Sequence, residues 1–179
     1  KLNDASNPQI VTEQVGEIIK KKETTEVFFS FYIEDGRLYS DDSTTNWRLD
    51  IWQDVITDMN EKNIVFTGYG YSDIIPVMLD PSAPGRLGRD GLNENVHNYF
   101  VNIFARGGLL QLLLFIIFFI KIVITSKKVN KNYGVLFLLI PVFLNSSFDT
   151  NLEGVQYPLL FYAFLGNLYF VKRNSDSLI

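Results

Sequence analysis

The side chains of this sequence that could carry chemistry are one histidine and a few arginines. His97 is the only histidine among the 179 residues, and it lies shortly before the longest apolar run, Gly107 to Ile120. A histidine titrates near neutral pH, so it can act as a general base on an alcohol. Arg48 lies on a predicted amphipathic helix, where its guanidinium could bind an anion bidentately. Together they indicate acid–base chemistry on an anionic, lipid-attached substrate.

Each of these two residues also has a purely structural interpretation. The stem of Arg48 could lie over Trp52, four residues later, while its charged head reaches water. A lone histidine at the start of a helix is often a satisfied capping residue. The sequence leaves both interpretations open.

Several other kinds of site lack the residues that they need. One histidine and no cysteine do not supply the three or four ligands of a zinc ion, and we expect neither a metal nor a cofactor. The turn at residues 68–72 has neither the Gly-Lys-Ser/Thr ending of a P-loop nor the order of a nucleophile elbow. A Ser-His-Asp triad stays open, although no serine lies at a recognisable elbow. The net charge of -4 and the lack of a basic stripe predict no nucleic-acid partner.

The first half of the chain is predicted to contain helices and one small hairpin. A helix is predicted to start from the Asn-Pro pair at 7–8 and to end with the lysines at 20–22, which suit the negative end of the helix dipole. The Asp-Gly pair at 35–36 predicts the turn of a hairpin. Capping residues at 41–46 then precede a helix from 47 to about 60. Its apolar stripe is predicted to contain Trp52, Val55, Ile56 and Met59.

The region that leads to the apolar run should hold part of the site. A stretch rich in Pro and Gly, with Arg86 and Arg89, is predicted to be an irregular, mobile loop beside it. Asn93 or Asn95 is predicted to cap the next helix, which would carry His97 on one stripe and continue into the membrane.

Three apolar segments are predicted to cross a membrane, at residues 107–125, 133–148 and 157–171. The first has about 19 residues, or roughly 27 Å of helix. Basic residues follow the first and third segments, and the positive-inside rule makes them cytoplasmic: Lys127, Lys128, Lys131, Lys172 and Arg173. Residues 1–106 and the acidic loop 149–153 then lie on the extracytoplasmic side.

The predicted fold class is therefore mainly α, in three parts. Residues 1–45 form an extracytoplasmic segment with a helix and a possible small β-hairpin. Residues 46–106 form an extracytoplasmic catalytic loop region, and residues 107–179 form three transmembrane helices with a cytoplasmic C-terminus. Because the chain starts with Lys1 and its apolar segments come past the middle, we expect a C-terminal piece of a longer multi-pass membrane protein.

The order of several short motifs resembles the C-terminal part of the O-antigen ligase/polymerase family. An Arg-containing helix, a Gly-x-Gly turn and a His-Asn pair entering a transmembrane helix follow one another, as Asn46 to Trp52, Phe66 to Gly70, His97 to Phe100 and Gly107-Gly108-Leu109. The acidic loop and closing helix of the family resemble 147–153 and 164–168. The likeness covers residues from about 46 to 171.

The resemblance implies a metal-independent glycosyltransferase in the bacterial inner membrane. Its donor would be a glycan on undecaprenyl pyrophosphate, and its acceptor a hydroxyl of another glycan or of lipid A-core. A protein acceptor, as in protein O-oligosaccharyltransferases, is the alternative. Carried over by motif, Arg48 would bind the pyrophosphate leaving group, and His97 would orient or deprotonate the acceptor hydroxyl. The family's earlier transmembrane helices are absent from this sequence and are expected as partners.

Further polar residues near these motifs are predicted to bind substrate: Arg86, Arg89, Asn98, Arg106, Asp149 and Glu153. Arg106 departs from the family pattern, and an ion pair with Asp149 or Glu153 is the preferred interpretation. A non-enzymatic, membrane-anchored binding or transport subunit remains the alternative from another functional class. In that case a conservative change of His97 would be harmless.

Overall fold

The computed structural model describes residues 31–83 and 85–175. The chain divides into two compact units, residues 1–50 and 51–179, and each is described by itself. The described part is mainly α-helical with one two-stranded sheet, as predicted. Its elements are β1 (Phe31–Glu34), β2 (Arg37–Ser40), α1 (Ser43–Glu61), α2 (Tyr99–Asn130), α3 (Leu136–Ser146) and α4 (Gln156–Ser175). The predicted helix from the Asn-Pro pair at 7–8 to the lysines at 20–22 lies outside the described residues.

The first unit contains the predicted hairpin, which is confirmed. Strands β1 and β2 pair antiparallel, with Glu34 opposite Arg37. The two turn residues, Asp35 and Gly36, have φ values of 48° and 77°. A two-residue turn of this kind requires the left-handed conformation at both positions, which an Asp-Gly pair adopts readily.

Helix α1 starts four residues earlier than the predicted Trp47 because Asp42 caps it. The Asp42 carboxylate accepts a hydrogen bond from the backbone N–H of Thr45 at 2.6 Å. Asn46 accepts a further bond from the backbone of Ser40 at 3.1 Å, which joins the hairpin to the helix. Capping side chains satisfy backbone N–H groups that have no partner inside the helix.

Farther along α1, the buried stripe differs from the predicted one. Ile51, Val55 and Met59 are fully buried, at successive spacings of four residues. Ile56, which was predicted to belong to the stripe, is 53% exposed, so that prediction was wrong. Periodicity alone gives the width of the apolar face, and the residues packed against it decide which edge is covered.

The connection from α1 to α2 is more regular than its Pro- and Gly-rich sequence predicted. Residues Pro76–Leu79 form a short 3-10 helix, in which Val77 and Met78 are buried. Residues 65–67 form turns, and Phe66 is 69% exposed.

Helix α2 starts at Tyr99, with Asn98 as its N-cap, so the predicted caps at Asn93 and Asn95 were wrong. The Asn98 side chain accepts from the backbone N–H groups of Phe100 and Val101, at 2.9 and 3.1 Å. His97 therefore precedes the helix instead of lying on it.

Helix α2 is broken at Gly108, whose φ of 67° and ψ of -170° are not helical. In an unbroken helix, the N–H groups of Leu109 and Leu110 would bond to carbonyls one turn earlier. Here Leu109 donates to the Val65 carbonyl at 2.8 Å, and Leu110 donates to the Phe66 carbonyl at 3.4 Å. The segment at residues 64–70 thus replaces the helix's own bonds.

The carbonyls freed on the other side of the break bind the same segment. Tyr69 donates its backbone N–H to the carbonyl of Ala105, and Gly70 donates to that of Arg106, both at 2.8 Å. Gly68 lies against the break as well, since a Cβ there would overlap the Arg106 carbonyl. The Gly-x-Gly turn and the glycine pair at 107–108 are therefore two halves of one backbone junction.

The side chain of Tyr69 ties the 64–70 segment to α1. Its hydroxyl donates to Asp58 at 2.5 Å, and Lys62 pairs with the same carboxylate at 2.7 Å. Burial and the Asp58 charge raise the pKa of Tyr69. Burial alone would raise the pKa of Asp58, but the bonds from Lys62 and Tyr69 lower it overall.

Among the described residues, α2 is the one helix that is long and apolar enough to cross a membrane. Only 11% of its most apolar stretch is buried, as expected of a surface that faces lipid and not of a soluble core. Helix α3 is apolar but has 11 residues, with Pro141 inside it. Of the three predicted spans, the first thus corresponds to this long apolar helix, which packs against α3 and α4, and the other two stay predictions.

Candidate functional site

His97 lies one residue before the N-cap of α2 and is half-buried. Its Nε2 is 2.8 Å from the side-chain nitrogen of Asn93. That amide nitrogen also donates to the carbonyl of Arg86 at 3.1 Å, which fixes the orientation of the amide. Because an amide N–H only donates, Nε2 of a neutral ring accepts this bond. Asn93 therefore holds the imidazole in one orientation at the polar end of α2.

His97 has a φ of 52°, in the left-handed region. Asparagine, aspartate and histidine are the residues other than glycine that adopt this conformation most often. The conformation turns the backbone just before the helix and lets Asn98 cap it.

Arg86 is buried at 3% exposure, although its sequence context predicted a mobile loop. Its guanidinium pairs with Asp54 on α1 and donates to the Val77 carbonyl at 2.9 Å. This ion pair connects the loop to α1 and positions the Arg86 carbonyl that orients Asn93. These contacts give Arg86 a positioning role, because it acts on His97 through Asn93.

Changing Arg86 to methionine should lower the free energy of unfolding by about 3 kcal/mol, because the ion pair with Asp54 is lost in a largely buried place. We expect the unfolding midpoint of the purified protein in detergent to fall by roughly 6–12 °C. Arg89→Met is the matched control, since Arg89 is exposed and its change should stay within about 0.5 kcal/mol. Equal midpoints for the two variants would contradict the structural role of Arg86.

A polar cavity of about 430 Å³ opens beside the first two turns of α2. Tyr99, Asn102 and Arg106 line it from one face of the helix, at spacings of three and four residues. The chain before the helix contributes Tyr71, Glu94 and Asn95, and the loop between α3 and α4 contributes Leu152 and Glu153.

Two predicted site residues, Arg106 and Glu153, meet in this cavity. The amide of Asn102 donates to the Glu153 carboxylate, and the guanidinium of Arg106 donates to the backbone carbonyls of Asp73 and Gly70. Burial raises the pKa of Glu153, and the nearby positive charge of Arg106 partly offsets that rise. The predicted ion pair of Arg106 with Asp149 or Glu153 was therefore wrong, because the Arg106 guanidinium bonds to backbone carbonyls and acts on Glu153 only through its charge, while Asn102 makes the direct contact.

The comparison with protein families identifies the chain. A family model described as O-antigen ligase matches residues 9–116, which is more than half of the sequence. The chain belongs to the O-antigen ligase family. Searches of curated proteins and of solved structures gave no match. The matched range contains Arg48, His97 and Arg106, whereas the likeness seen at residues 147–168 lies beyond it.

Membership of the O-antigen ligase family implies a glycosyltransferase-like enzyme that uses a lipid-linked glycan donor and an acceptor. The family and the long apolar helix together indicate a membrane protein. The polar cavity and His97 both lie at the N-terminal end of that helix.

The structure also places three other predicted site residues, Arg48, Asn98 and Asp149. Arg48 lies in the first unit, on α1, where it is half-buried; its Nε has no hydrogen-bond partner among the described residues. Asn98 uses its side chain for the cap of α2 and for a bond to the Ser147 carbonyl at 3.0 Å. Asp149 is exposed and accepts from the backbone N–H of Thr150 at 2.8 Å.

Sequence reasoning missed Asn102, the cavity residue that donates to the Glu153 carboxylate. One signal for it was available, because Asn102 is a polar residue in an otherwise apolar stretch, four residues before Arg106. On a helix that spacing places the two side chains on one face.

Proposed function

We propose that this chain carries part of the active site of a membrane glycosyltransferase that transfers a glycan from undecaprenyl pyrophosphate to an acceptor hydroxyl. In this reaction the bond between the sugar's anomeric carbon and the pyrophosphate oxygen breaks, and a bond to the acceptor oxygen forms. The acceptor proton passes to a base, and the pyrophosphate leaves as an anion. His97 orients or deprotonates the hydroxyl, and Arg48 stabilises the leaving group.

The observation that carries this proposal is the position of His97. The residue precedes the N-cap of the long apolar helix, and Asn93 holds its ring. A base in that place lies at the boundary between polar and apolar surroundings, where a lipid-attached substrate would present its reacting carbon. Family membership supplies the reaction class.

An apolar groove next to the polar cavity supports a lipid-linked substrate. The groove holds about 350 Å³ between α2 and α3 and is lined by side chains such as Phe100, Phe119 and Phe143. It meets the polar cavity at consecutive residues of α2, since Tyr99 lines the cavity and Phe100 lines the groove. A glycan in the polar cavity and an isoprenoid chain in the apolar groove would match this division.

The proposal includes a membrane topology for the helices. Helices α2, α3 and α4 each cross the bacterial inner membrane, the latter two with help from flanking residues. Lys127 and Lys128 in the last turn of α2 then lie on the cytoplasmic side. His97 and the polar cavity, at the opposite end of α2, lie on the extracytoplasmic side.

Arg48→Ala should reduce glycan transfer about 10- to 100-fold, because the leaving pyrophosphate loses a fixed positive charge. Arg48→Lys should restore only part of the activity, since an ammonium cannot bind two phosphate oxygens in the planar, bidentate manner of arginine. The measurement is surface polysaccharide on gels from cells whose only gene copy is the variant, with protein amount followed by immunoblotting.

Lys128→Ala, at the far end of α2, is the control and should leave the polysaccharide unchanged. Normal polysaccharide in the Arg48→Ala strain, at normal protein level, would refute the role of Arg48.

A further inference from the structure

The polar cavity beside α2 has a lining that differs from that of a phosphate site. We propose that it is a glycan subsite, which binds the hydroxyl groups of an uncharged sugar through Glu153, Glu94 and Asn102. This proposal rests on the proposed function and adds the class of group that the cavity recognises. The cavity volume of about 430 Å³ lies within the roughly 300–1,000 Å³ typical of small-ligand pockets.

The charges of the cavity disfavour pyrophosphate. Two carboxylates, Glu94 and Glu153, line it against one guanidinium, that of Arg106. Arg106 is 8% exposed and directs its side chain toward the carbonyls of Gly70 and Asp73. A pyrophosphate placed here would meet more negative than positive charge, and like charges at close range are costly. A neutral polyol has no such penalty.

One hydrogen-bond acceptor among the residues that line the cavity lacks a partner. The Oδ1 of Asn102 is buried and has no hydrogen-bond partner among the described residues, and the residue as a whole is only 2% exposed. A buried acceptor left unpaired costs about 1–3 kcal/mol, so a native site usually provides a partner. Sugar hydroxyl groups are donors and can supply it, together with bonds to the two carboxylates.

Two tyrosines give the cavity aromatic surfaces. Tyr99 lines it from the first turn of α2, and Tyr71 lines it from the preceding chain, with its hydroxyl accepting a bond from Gln111. Aromatic rings give amphipathic ligands a flat apolar surface beside polar partners. A sugar ring has such a mixed surface, with C–H groups on its faces and hydroxyls at its edge.

Saturation-transfer NMR on the purified full chain in detergent tests the proposal. The probes are the methyl glycosides of glucose, galactose and N-acetylglucosamine, with inorganic pyrophosphate as a competitor. We expect at least one glycoside to bind, and pyrophosphate not to displace it. Glu153→Gln should raise its Kd about tenfold, because bonds to a charged acceptor are stronger than those to an amide. The glutamine keeps an oxygen that can accept from Asn102, so the fold should persist.

Glu61→Gln is the matched control, as an exposed carboxylate at the end of α1, and should leave the Kd unchanged. The proposal is overturned if none of the three glycosides binds, if Glu153→Gln binds as tightly as the wild type, or if pyrophosphate competes. In the last case the cavity is a phosphate site.

The two proposals fail separately. If the glycosides do not bind but the Arg48 and His97 variants lose transfer, the glycan subsite is wrong and the proposed function stands. If the glycosides bind as expected while the Arg48 and His97 variants transfer normally, the proposed function is wrong and the sugar site remains.

Discussion

Replacing His97 with asparagine should lower glycan transfer by at least about 100-fold while the amount of folded protein stays normal. General acid–base groups typically contribute about 10²- to 10⁴-fold to a rate, and the amide of asparagine cannot take a proton at neutral pH. Asparagine adopts the left-handed backbone conformation readily, so the φ of 52° at this position is kept at little cost. A loss of activity in His97→Asn therefore reports on the imidazole and not on the fold.

The measurement for His97 is the amount of surface polysaccharide together with the accumulation of lipid-linked donor. His97→Gln belongs in the same experiment, because a non-enzymatic membrane-anchored subunit would tolerate it. An enzyme should lose activity with either substitution. Should both strains make normal polysaccharide, the catalytic role is wrong and the alternative of a binding or transport subunit takes its place.

Gly108→Ala should destabilise the protein by more than about 3 kcal/mol, which would nearly abolish its accumulation in the membrane. Two effects add here. The conformation, with φ 67° and ψ -170°, is almost exclusive to glycine and costs an alanine roughly 1–3 kcal/mol. A Cβ would also overlap the backbone of Phe66 and Thr67, which cannot move aside without breaking the bonds of the 64–70 segment.

Two other glycines separate these effects. Gly70 has a φ of 87° and nothing within 4 Å of an added Cβ, so Gly70→Ala measures the conformational cost alone, about 1 kcal/mol. Gly154 has neither a positive φ nor a close neighbour, so Gly154→Ala should have almost no effect. The check is the order of unfolding midpoints in detergent. Gly108→Ala as stable as Gly70→Ala would show that the junction can open.

The elements that sequence predicted best depend on neighbouring residues only. The hairpin follows from an Asp-Gly pair between two β-rich strands, and the long apolar helix follows from its composition. The start of α2 was missed because three asparagines, at 93, 95 and 98, could each cap a helix. Asn98 also donates to the Ser147 carbonyl, 49 residues away, and a distant partner of that kind leaves no local signal.

The candidate site was predicted only in part, because some of its contacts also join residues that are distant in the sequence. Arg106 was predicted to form an ion pair with Asp149 or Glu153 because charges near a membrane need partners. Arg106 and Glu153 do line one cavity, but backbone carbonyls of another segment bind the guanidinium instead. The burial of Arg86 was not predicted. Its partner Asp54 lies on α1, 32 residues earlier in the chain, and the sequence around Arg86 is typical of an irregular loop. The break at Gly108 was also missed, because a glycine pair is compatible with a straight helix until a second segment supplies other bonds.

The junction at Gly108 has a consequence for how the membrane helix acquires its shape. The N–H groups of Leu109 and Leu110 have two alternative sets of acceptors, one inside the helix and one on the 64–70 segment. An isolated 99–130 peptide contains only the first set and would form a straight rod in lipid. The break is therefore not encoded in residues 99–130 alone but depends on residues 64–70, which precede them in the chain, so the helix takes its final form only when that segment docks on it.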